Sequence, residues 1–441
     1  MTTENEDKPK EYEAVLVVRG LGPQTQDAVQ SWAPELAYQE YPYAIVVASG
    51  NQKMTDEFRV KLIEVSNYYD VPVYLFDQPI REVFYANIGK VLQAQTEALK
   101  MAKLIEDKRA KSYGAGTNEG LLWAKVLGAK RVFYFDDDTR PIPELDILQK
   151  HLDLLGLRGA VAVTGGYCGA HWLDVSFLPK RSQQDRLAGF LMSQIPSGKP
   201  VQDSVPFGMP PQEGRCRWLI GGNNLLSEEF YNRLCCPILN DAVSTDDILL
   251  GVIGSKVFEN RVWKSDLPVI HAQAIGRKAP AKVQEYLQKW ARTIAFWAML
   301  KDDPKDDPKG WMKFIVSTAK GEKVLTQPNE EDLDANEGKD AVNNFGYQLK
   351  QIVGLAGKSV ARELGHISAV ADQMMQGQGT VLGENVVETA KQGIIEYQKL
   401  LEVWPAIWNA IDDETKLATL DAIKVQNKSA IERQKQLAAS A

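Results

Sequence analysis

The run RVFYFDDDTRPIP, Arg131 to Pro143, constrains this chain more than any other stretch. Arg131 to Phe135 is rich in β-branched and aromatic side chains and reads as a short buried strand. It runs directly into Asp136, Asp137 and Asp138, after which Pro141 and Pro143 stop regular structure. Three adjoining carboxylates repel one another, and burying them is expensive without compensation. A divalent cation compensates, because hard ions such as Mg²⁺ and Mn²⁺ prefer oxygen ligands and are commonly held by one or two carboxylates plus substrate phosphates. In open α/β sheets, ligands bind at the carboxyl edge of the strands, where this triplet would sit. The competing reading is an acidic turn whose aspartates cap backbone N–H groups or are only solvated.

The flanking sequence supplies the sheet. Ala14 to Val18 (AVLVV), Tyr43 to Ala48 (YAIVVA) and Val71 to Phe76 (VPVYLF) read as strands. Between them lie helical stretches, one over Gln24 to Leu36 and one with apolar positions at Phe58, Leu62, Val65 and Tyr68. Strand alternating with helix is the signature of a parallel sheet with covered faces. A longer helical stretch follows from Ile80 to Lys111. A glycine-bearing loop at Gly114 and Gly116 then opens a helix from about Asn118 to Leu127, terminated by Gly128. Later strands are expected at Ala160 to Thr164, Arg217 to Ile220 and Val262 to Val269. Helices are expected from Ser227, which would cap its helix, and from Ser244-Thr245-Asp246-Asp247.

The chain has 441 residues, which suits two or three domains. With 44% hydrophobic and 25% charged residues it has the balance of a soluble globular protein. A net charge of −7 gives no general attraction to nucleic acid or anionic lipid. Cys168, Cys216, Cys235 and Cys236 form no CxxC pair and read as buried free thiols, which fits a reducing compartment. The polar start MTTENEDKPKEYE is not a signal peptide, and no apolar run reaches the roughly 18 residues of a spanning helix, so a cytoplasmic location is expected.

Past Pro280 the character becomes helical. Val283 to Leu300 is amphipathic, a duplicated DDPK (Asp302 to Lys309) makes a solvated turn, and Gly321 to Lys339 reads as an acidic loop. Three further helices are expected at Asn343 to Gln376, Glu384 to Trp404 and Glu414 to Ala438. In the first, Gly354, Gly357, Ala361 and Gly365 recur at a spacing that would let a neighbouring helix approach closely. The expected division is a disordered tail over 1–12, a catalytic domain over 13–280 and a helical C-terminal domain over 281–441.

From about Ala14 to Lys278 the chain resembles the GT-A-fold glycosyltransferases, family-2-like enzymes that move a sugar from a nucleotide-diphosphate donor. AGTNEGLLWAKVLGAKRVFYFDDD, Ala115 to Asp138, is similar to their Asn-containing helix leading into the DXD motif. GGNNLL at Gly221 resembles the turn beneath the donor sugar, and STDD at Ser244 the acidic motif that holds a general base in inverting members and binds the acceptor or positions the sugar in retaining ones, which leaves the anomeric outcome open. VIHAQAIGRK, Val269 to Lys278, resembles a late metal-ligand His followed by a phosphate-gripping loop. The helical C-terminal domain resembles in outline the mannosylglycerate synthase layout.

The resemblance implies an α/β fold: a Rossmann-like mixed sheet with helices on both faces, plus an α-helical C-terminal domain. It implies Mn²⁺ or Mg²⁺ held by Asp138, Asp136 and His271. Donor binding would fall to Arg19, Asn118, Asp136, Asp137, Gly221, Gly222, Arg277 and Lys278, with Asp246 and Asp247 as the catalytic pair. The implied partners are a UDP- or GDP-linked sugar and a small-molecule or glycan acceptor, and the C-terminal helices offer a surface for homo-oligomer assembly. The family's nucleobase-reading Asp is replaced by Ala48-Ser49-Gly50-Asn51, which leaves the base open.

Each residue also has a plainer reading. His271 could be a structural His near a strand end, Arg277 and Lys278 a solvated basic turn, and Gly221 and Gly222 only a tight turn. Ser244-x-x-Asp247 is itself a capping box. Trp172, Trp218 and Trp263 could stack on a sugar or fill the core. Two other functions compete. A sugar nucleotidyltransferase would need a basic glycine loop after the first strand, of which Gly20-Leu21-Gly22-Pro23 is a feeble version. A catalytically inactive scaffold or carbohydrate-binding protein would not need the acidic landmarks.

Overall fold

The computed structural model describes residues 12–19, 23–39, 42–48, 54–109, 112–169, 175, 177–193, 204–205, 213–219, 222–238, 246–271, 280–300, 315–317, 323–325, 333–355 and 364–440. The first half alternates β1 (Ala14–Arg19), α1 (Pro23–Ala37), β2 (Tyr43–Ala48), α2 (Asp56–Tyr69), β3 (Val73–Phe76), α3 (Gln78–Val91), α4 (Thr96–Lys108), α5 (Tyr113–Val126) and β4 (Arg131–Asp136). Next come β5 (Thr139–Arg140), α6 (Ile147–Arg158), β6 (Ala162–Gly169), α7 (Arg181–Ser193), β7 (Ser204–Val205), β8 (Gly214–Arg215), β9 (Asn224–Ser227), α8 (Glu228–Tyr231), α9 (Asp246–Val257) and β10 (Val262–His271). The last part comprises α10 (Pro280–Leu300), β11 (Ile315–Ser317), β12 (Lys323–Leu325), α11 (Ala335–Gly354), α12 (Gly365–Met374), β13 (Thr380–Val381), β14 (Glu384–Asn385), α13 (Val386–Asn409) and α14 (Asp413–Ser440).

The strands of the main sheet run β3-β2-β1-β4-β9-β6-β10-β5, with β7 beside β6 and β8 beside β10. β1 to β4 are mutually parallel, β9 is antiparallel to both β4 and β6, and β10 returns parallel to β6. Every residue of β2 is buried, as its unbroken apolar run requires of a strand covered on both sides. Strand order reverses at β1, with β2 and β3 to one side and β4 to the other. Right-handed crossovers therefore put α1 and α2 on one face and α5 on the opposite one. Accordingly α1 packs on α2, whereas α5 packs on α4 and α14. This is the Rossmann-like mixed sheet, with helices on both faces and helical C-terminal elements, that the sequence implied.

Aromatic stacking ties the helices to the sheet. Trp32 of α1 lies against Phe135 of β4 with ring centroids 4.1 Å apart, and Trp123 of α5 stacks on Phe76 at 4.2 Å. One continuous apolar core extends from the sheet into α10, α11, α12 and α13. α14 crosses back over α2, α3 and the edge strand β3. There the fully buried Asp77 pairs with Arg59 at 2.7 Å and accepts the Met54 N–H, while Arg59 also donates to Asn427 of α14 at 2.9 Å. A second buried pair joins Arg81 Nε to both oxygens of Glu119 at 2.9 Å. No described helix is long and apolar enough to cross a membrane.

Several local expectations are corrected. The stretch from Ile80 to Lys111 is two helices, α3 and α4, separated around Leu92 to Gln95. Gly114 and Gly116 lie inside α5, which starts earlier than expected because the Ser112 side chain caps it by accepting from the Ala115 N–H at 3.2 Å. Arg217 to Trp218 is not strand. The strand of that region is β9, beginning at Asn224. The expected helix from Ser227 is the single turn α8, and Ser227 Oγ donates to the Val161 carbonyl instead of capping it.

In the C-terminal part, α11 begins at Ala335, with Asp334 accepting the Asn336 N–H. The helix expected over Asn343 to Gln376 is broken into α11 and α12. Among the described residues nothing lies within 4 Å of a Cβ on Gly354 or Gly365, Gly357 and Ala361 lie outside those residues, and it is Gly346 whose missing Cβ admits Met374 and the Ala371 carbonyl of α12. Except for Tyr12, the expected tail lies outside the described residues, as do the DDPK repeat and Gly20-Leu21-Gly22.

Candidate functional site

β4 delivers the aspartates to the carboxyl edge beside the point where strand order reverses. Asp136 is its last residue and is in register with Arg19, the last residue of β1. Thr139 Oγ1 donates back to the Asp136 carbonyl at 2.8 Å and braces the turn. Thr139 is in turn in register with His271, because β5 pairs antiparallel with the end of β10. Strand pairing thus brings a residue 133 positions from Asp138 to its side: His271 Nε2 lies 3.2 Å from Asp138 Oδ2.

The carboxylates are held differently. Asp136 accepts a hydrogen bond from the Tyr113 hydroxyl at the start of α5. Asp137 Oδ2 accepts from the fully buried Thr25 at 3.4 Å, and its carbonyl accepts from Arg140 at 2.7 Å. Burial pulls the Arg140 pKa down, while the charges of Asp27, Asp137 and Asp138 act in the opposite direction. Asp138 Oδ1 is buried and has no hydrogen-bond partner among the described residues.

The turn before β9 lies against the aspartates. A Cβ on Gly222 would come within 2.9 Å of Asp136 Oδ2 and 2.4 Å of the Tyr167 hydroxyl, so only glycine fits there without movement. The Gly222 N–H donates to Tyr167 Oη at 2.5 Å. The Gly165 N–H donates to the Asn223 carbonyl at 2.8 Å, and Asn223 Nδ2 donates to the Gly166 carbonyl at 3.1 Å. The turn is therefore laced to β6. Tyr167 is neutral: burial first, then the charges of Asp136, Asp247 and Asp138, hold its hydroxyl far above the ordinary value, against the Gly222 N–H. That influence puts the Asp247 charge in the same neighbourhood.

Among the expected site residues, the structure gathers Asp136, Asp137, Asp138, Gly222 and His271, with Asp247 close enough to act on Tyr167. Arg19 and Asp246 are placed by their backbones, at the end of β1 and the start of α9. Gly221, Arg277 and Lys278 lie outside the described residues, as does Trp172. Asn118 is elsewhere engaged: fully buried, its amide donates to the Cys236 carbonyl at 2.8 Å and accepts the Cys236 N–H at 2.7 Å. Trp263 stands at the opposite end of β10 from His271, about 26 Å away at the usual rise of a strand. Trp218 is buried beside Gly251 and belongs to the core.

Two contributors carried no sequence motif. Tyr113 is a lone aromatic at a helix start. Tyr167 sits in GGYCG, where only the glycines around it hinted at a crowded strand.

Among the described residues, no group of three or more His, Cys, Asp or Glu side chains converges as a metal cluster. The three-donor set expected of Asp136, Asp138 and His271 is thus not assembled, since Asp136 is turned to Tyr113. The pair of Asp138 and His271 still fits a divalent ion. Adjacent donors of an octahedral ion with bonds of about 2.1 Å stand about 3 Å apart, close to their separation. Asp138 also keeps a buried oxygen in need of a partner.

No family model matches the sequence, and no curated protein matches it. Among solved structures, the chain is similar to the mannosyltransferase PcManGT from Pyrobaculum calidifontis in complex with GDP-Man and Mn²⁺, at 13% identity and a TM-score of 0.40, over 88% of this chain and 86% of that one. It is similar to glucosyl-3-phosphoglycerate synthase from Mycobacterium tuberculosis at 12% identity and 0.34, over 64% and 78%. It is likewise similar to S. aureus TarS 1-349 in complex with UDP at 10% identity and 0.36, over 89% and 91%.

Proposed function

We propose that this chain is a metal-dependent glycosyltransferase that moves a sugar from a nucleotide-diphosphate donor to a hydroxyl of a soluble acceptor. One observation carries the reading. Asp138, in the turn between β4 and β5, and His271, the last residue of β10, are distant in sequence and meet at the carboxyl edge, where one buried Asp138 oxygen has no hydrogen-bond partner among the described residues. A purely structural pair would more often satisfy both oxygens.

Asp138 and His271 would hold Mn²⁺ or Mg²⁺, His271 through a neutral imidazole nitrogen. When bound, such an ion offsets the charge that develops on the departing diphosphate. Asp136 takes the ribose hydroxyls, with Asp137 as its support. Gly222 gives the sugar close access to backbone. Arg19, Arg277 and Lys278 are assigned to the phosphates, where guanidinium and ammonium donors suit phosphate oxygens. Asp246 and Asp247, in the first turn of α9, remain for the acceptor. A carboxylate there serves in one of two ways: as the general base that takes the acceptor's proton, with inversion, or, with retention, as a group that binds the acceptor or positions the sugar. Asn118 serves indirectly, by fixing the Cys236 main chain.

Calorimetry with UDP and GDP, each with and without Mn²⁺, tests the reading. One of the two nucleotides is expected to bind at least tenfold more tightly with the metal, and the matching nucleotide-sugar to be slowly hydrolysed. Absence of binding to either nucleotide in the presence of Mn²⁺ would sink it.

A further inference from the structure

Tyr167 joins the two sides of the site. Its ring stacks on His271 with centroids 4.8 Å apart and planes 20° from parallel, while its hydroxyl receives the Gly222 N–H at 2.5 Å. Strand register explains the stacking. β6 and β10 run parallel, with Tyr167 opposite Val269 and Gly169 opposite His271. Tyr167 and Gly169 project to one face of β6, as Val269 and His271 do to the same face of β10. Glycine opposite His271 leaves that place without a side chain, and the Tyr167 ring fills it. The ring is 3% exposed and cannot swing aside without opening the core.

From this we infer that Tyr167 is a positioning residue with two separable duties: its ring orients the His271 imidazole for the metal, and its hydroxyl sets the Gly222 turn for the donor. The inference rests on the reading of the site given above. His271 needs such a guide, because a ligating imidazole works only when its ring plane is fixed by its surroundings. The Gly222 turn needs one as well. A Cβ on Gly222 would meet Tyr167 Oη, Asp136 Oδ2 and Thr139 Cγ2 at 2.9 Å or less, so a shift of that backbone by a few tenths of an ångström alters the space beside Asp136. The buried ring holds the Tyr167 hydroxyl oxygen in place as the acceptor for that N–H.

The test uses the full chain and the substitutions Tyr167→Phe and Tyr167→Leu. Mn²⁺ affinity is read by electron paramagnetic resonance of the free ion. Affinity for UDP or GDP, whichever the wild type binds, is read by calorimetry at saturating Mn²⁺. Phenylalanine keeps the stack and deletes the hydroxyl, so Mn²⁺ affinity is expected to stay within about threefold while nucleotide affinity falls about tenfold. Leucine deletes both, and Mn²⁺ affinity is expected to fall by about tenfold or more as well.

Thermal unfolding serves as a control, and the phenylalanine variant decides by itself if the leucine variant does not fold. Equal losses of metal and nucleotide affinity in Tyr167→Phe, or no loss in either variant, would overturn the inference while leaving the metal site standing. A wild type that binds no Mn²⁺ would overturn the site reading and the inference together.

Discussion

Replacing Asp138 by asparagine keeps the shape of the side chain and removes its charge, which separates a metal ligand from a structural carboxylate. In the folded chain Asp138 Oδ1 is buried with no hydrogen-bond partner among the described residues, and Oδ2 lies 3.2 Å from His271 Nε2. An unmet buried polar group costs about 1–3 kcal/mol, so the native state gains little from this carboxylate. Asp138→Asn should therefore change the unfolding free energy by no more than about 1 kcal/mol. Asp77 is the internal control. It is fully buried, paired with Arg59 at 2.7 Å and bonded to the Met54 N–H, and Asp77→Asn strands a buried guanidinium. Breaking such a pair costs about 3–5 kcal/mol.

For the metal the ranking reverses. Even an outer partner of a metal ligand contributes about 10–100-fold to affinity, so loss of one of two direct protein ligands should weaken Mn²⁺ at least about 100-fold. That is about 2.7 kcal/mol. Urea unfolding and Mn²⁺ titration of both variants give the comparison. Should Asp138→Asn lose more than about 2 kcal/mol of stability with Mn²⁺ affinity within about threefold of wild type, the metal assignment is wrong and Asp138 is structural.

Gly346→Ala places a Cβ 2.6 Å from Met374 Cβ and 2.8 Å from the Ala371 carbonyl, and should cost about 1–3 kcal/mol by forcing α11 from α12. An unchanged urea midpoint would remove that close contact from the account. Tyr397→Phe deletes a buried hydroxyl that donates to the Cys235 carbonyl at 2.9 Å, and a loss of about 1–2 kcal/mol is expected in the same assay.

Burial holds the His151 imidazole down at about 4, against an ordinary 6.5, while its Nδ1 bonds the Ile147 carbonyl. Between those two pH values the unfolded chain binds the extra proton, so this contribution is complete above about pH 6.5 and is lost as pH falls toward 4. It amounts to about 3 kcal/mol, and His151→Leu should flatten the fall in stability between pH 7 and 4.5. Parallel pH profiles for variant and wild type would contradict it.

Where side chains alone decided structure, the sequence was readable. AVLVV, YAIVVA and RVFYF are strands because both faces of the parallel half are covered, and continuous apolar runs report that directly. The Asp136 to Asp138 edge was legible for the same reason. Glycines misled. Those at the start of α5 looked like a loop, yet the helix runs through them and Gly120 serves to bring α5 against Tyr134 and Val17. β9 was hidden because Asn223 and Asn224 look like turn residues, and only pairing with β4 and β6 makes the segment extended. The site's aromatic supports were illegible in principle. Tyr113 and Tyr167 matter through residues that register brings to them, and register is not written in local sequence.

The hydrogen bond between Arg59 and Asn427 joins residues 368 positions apart. At about 5–20 residues per second, a ribosome makes that length in roughly 20–70 s. For that interval the nascent β1–β3 units carry an arginine whose lid does not yet exist, with the outer edge of β3 uncovered. Chaperones that shield charged and strand-edge surfaces would find their natural client in that half-made chain.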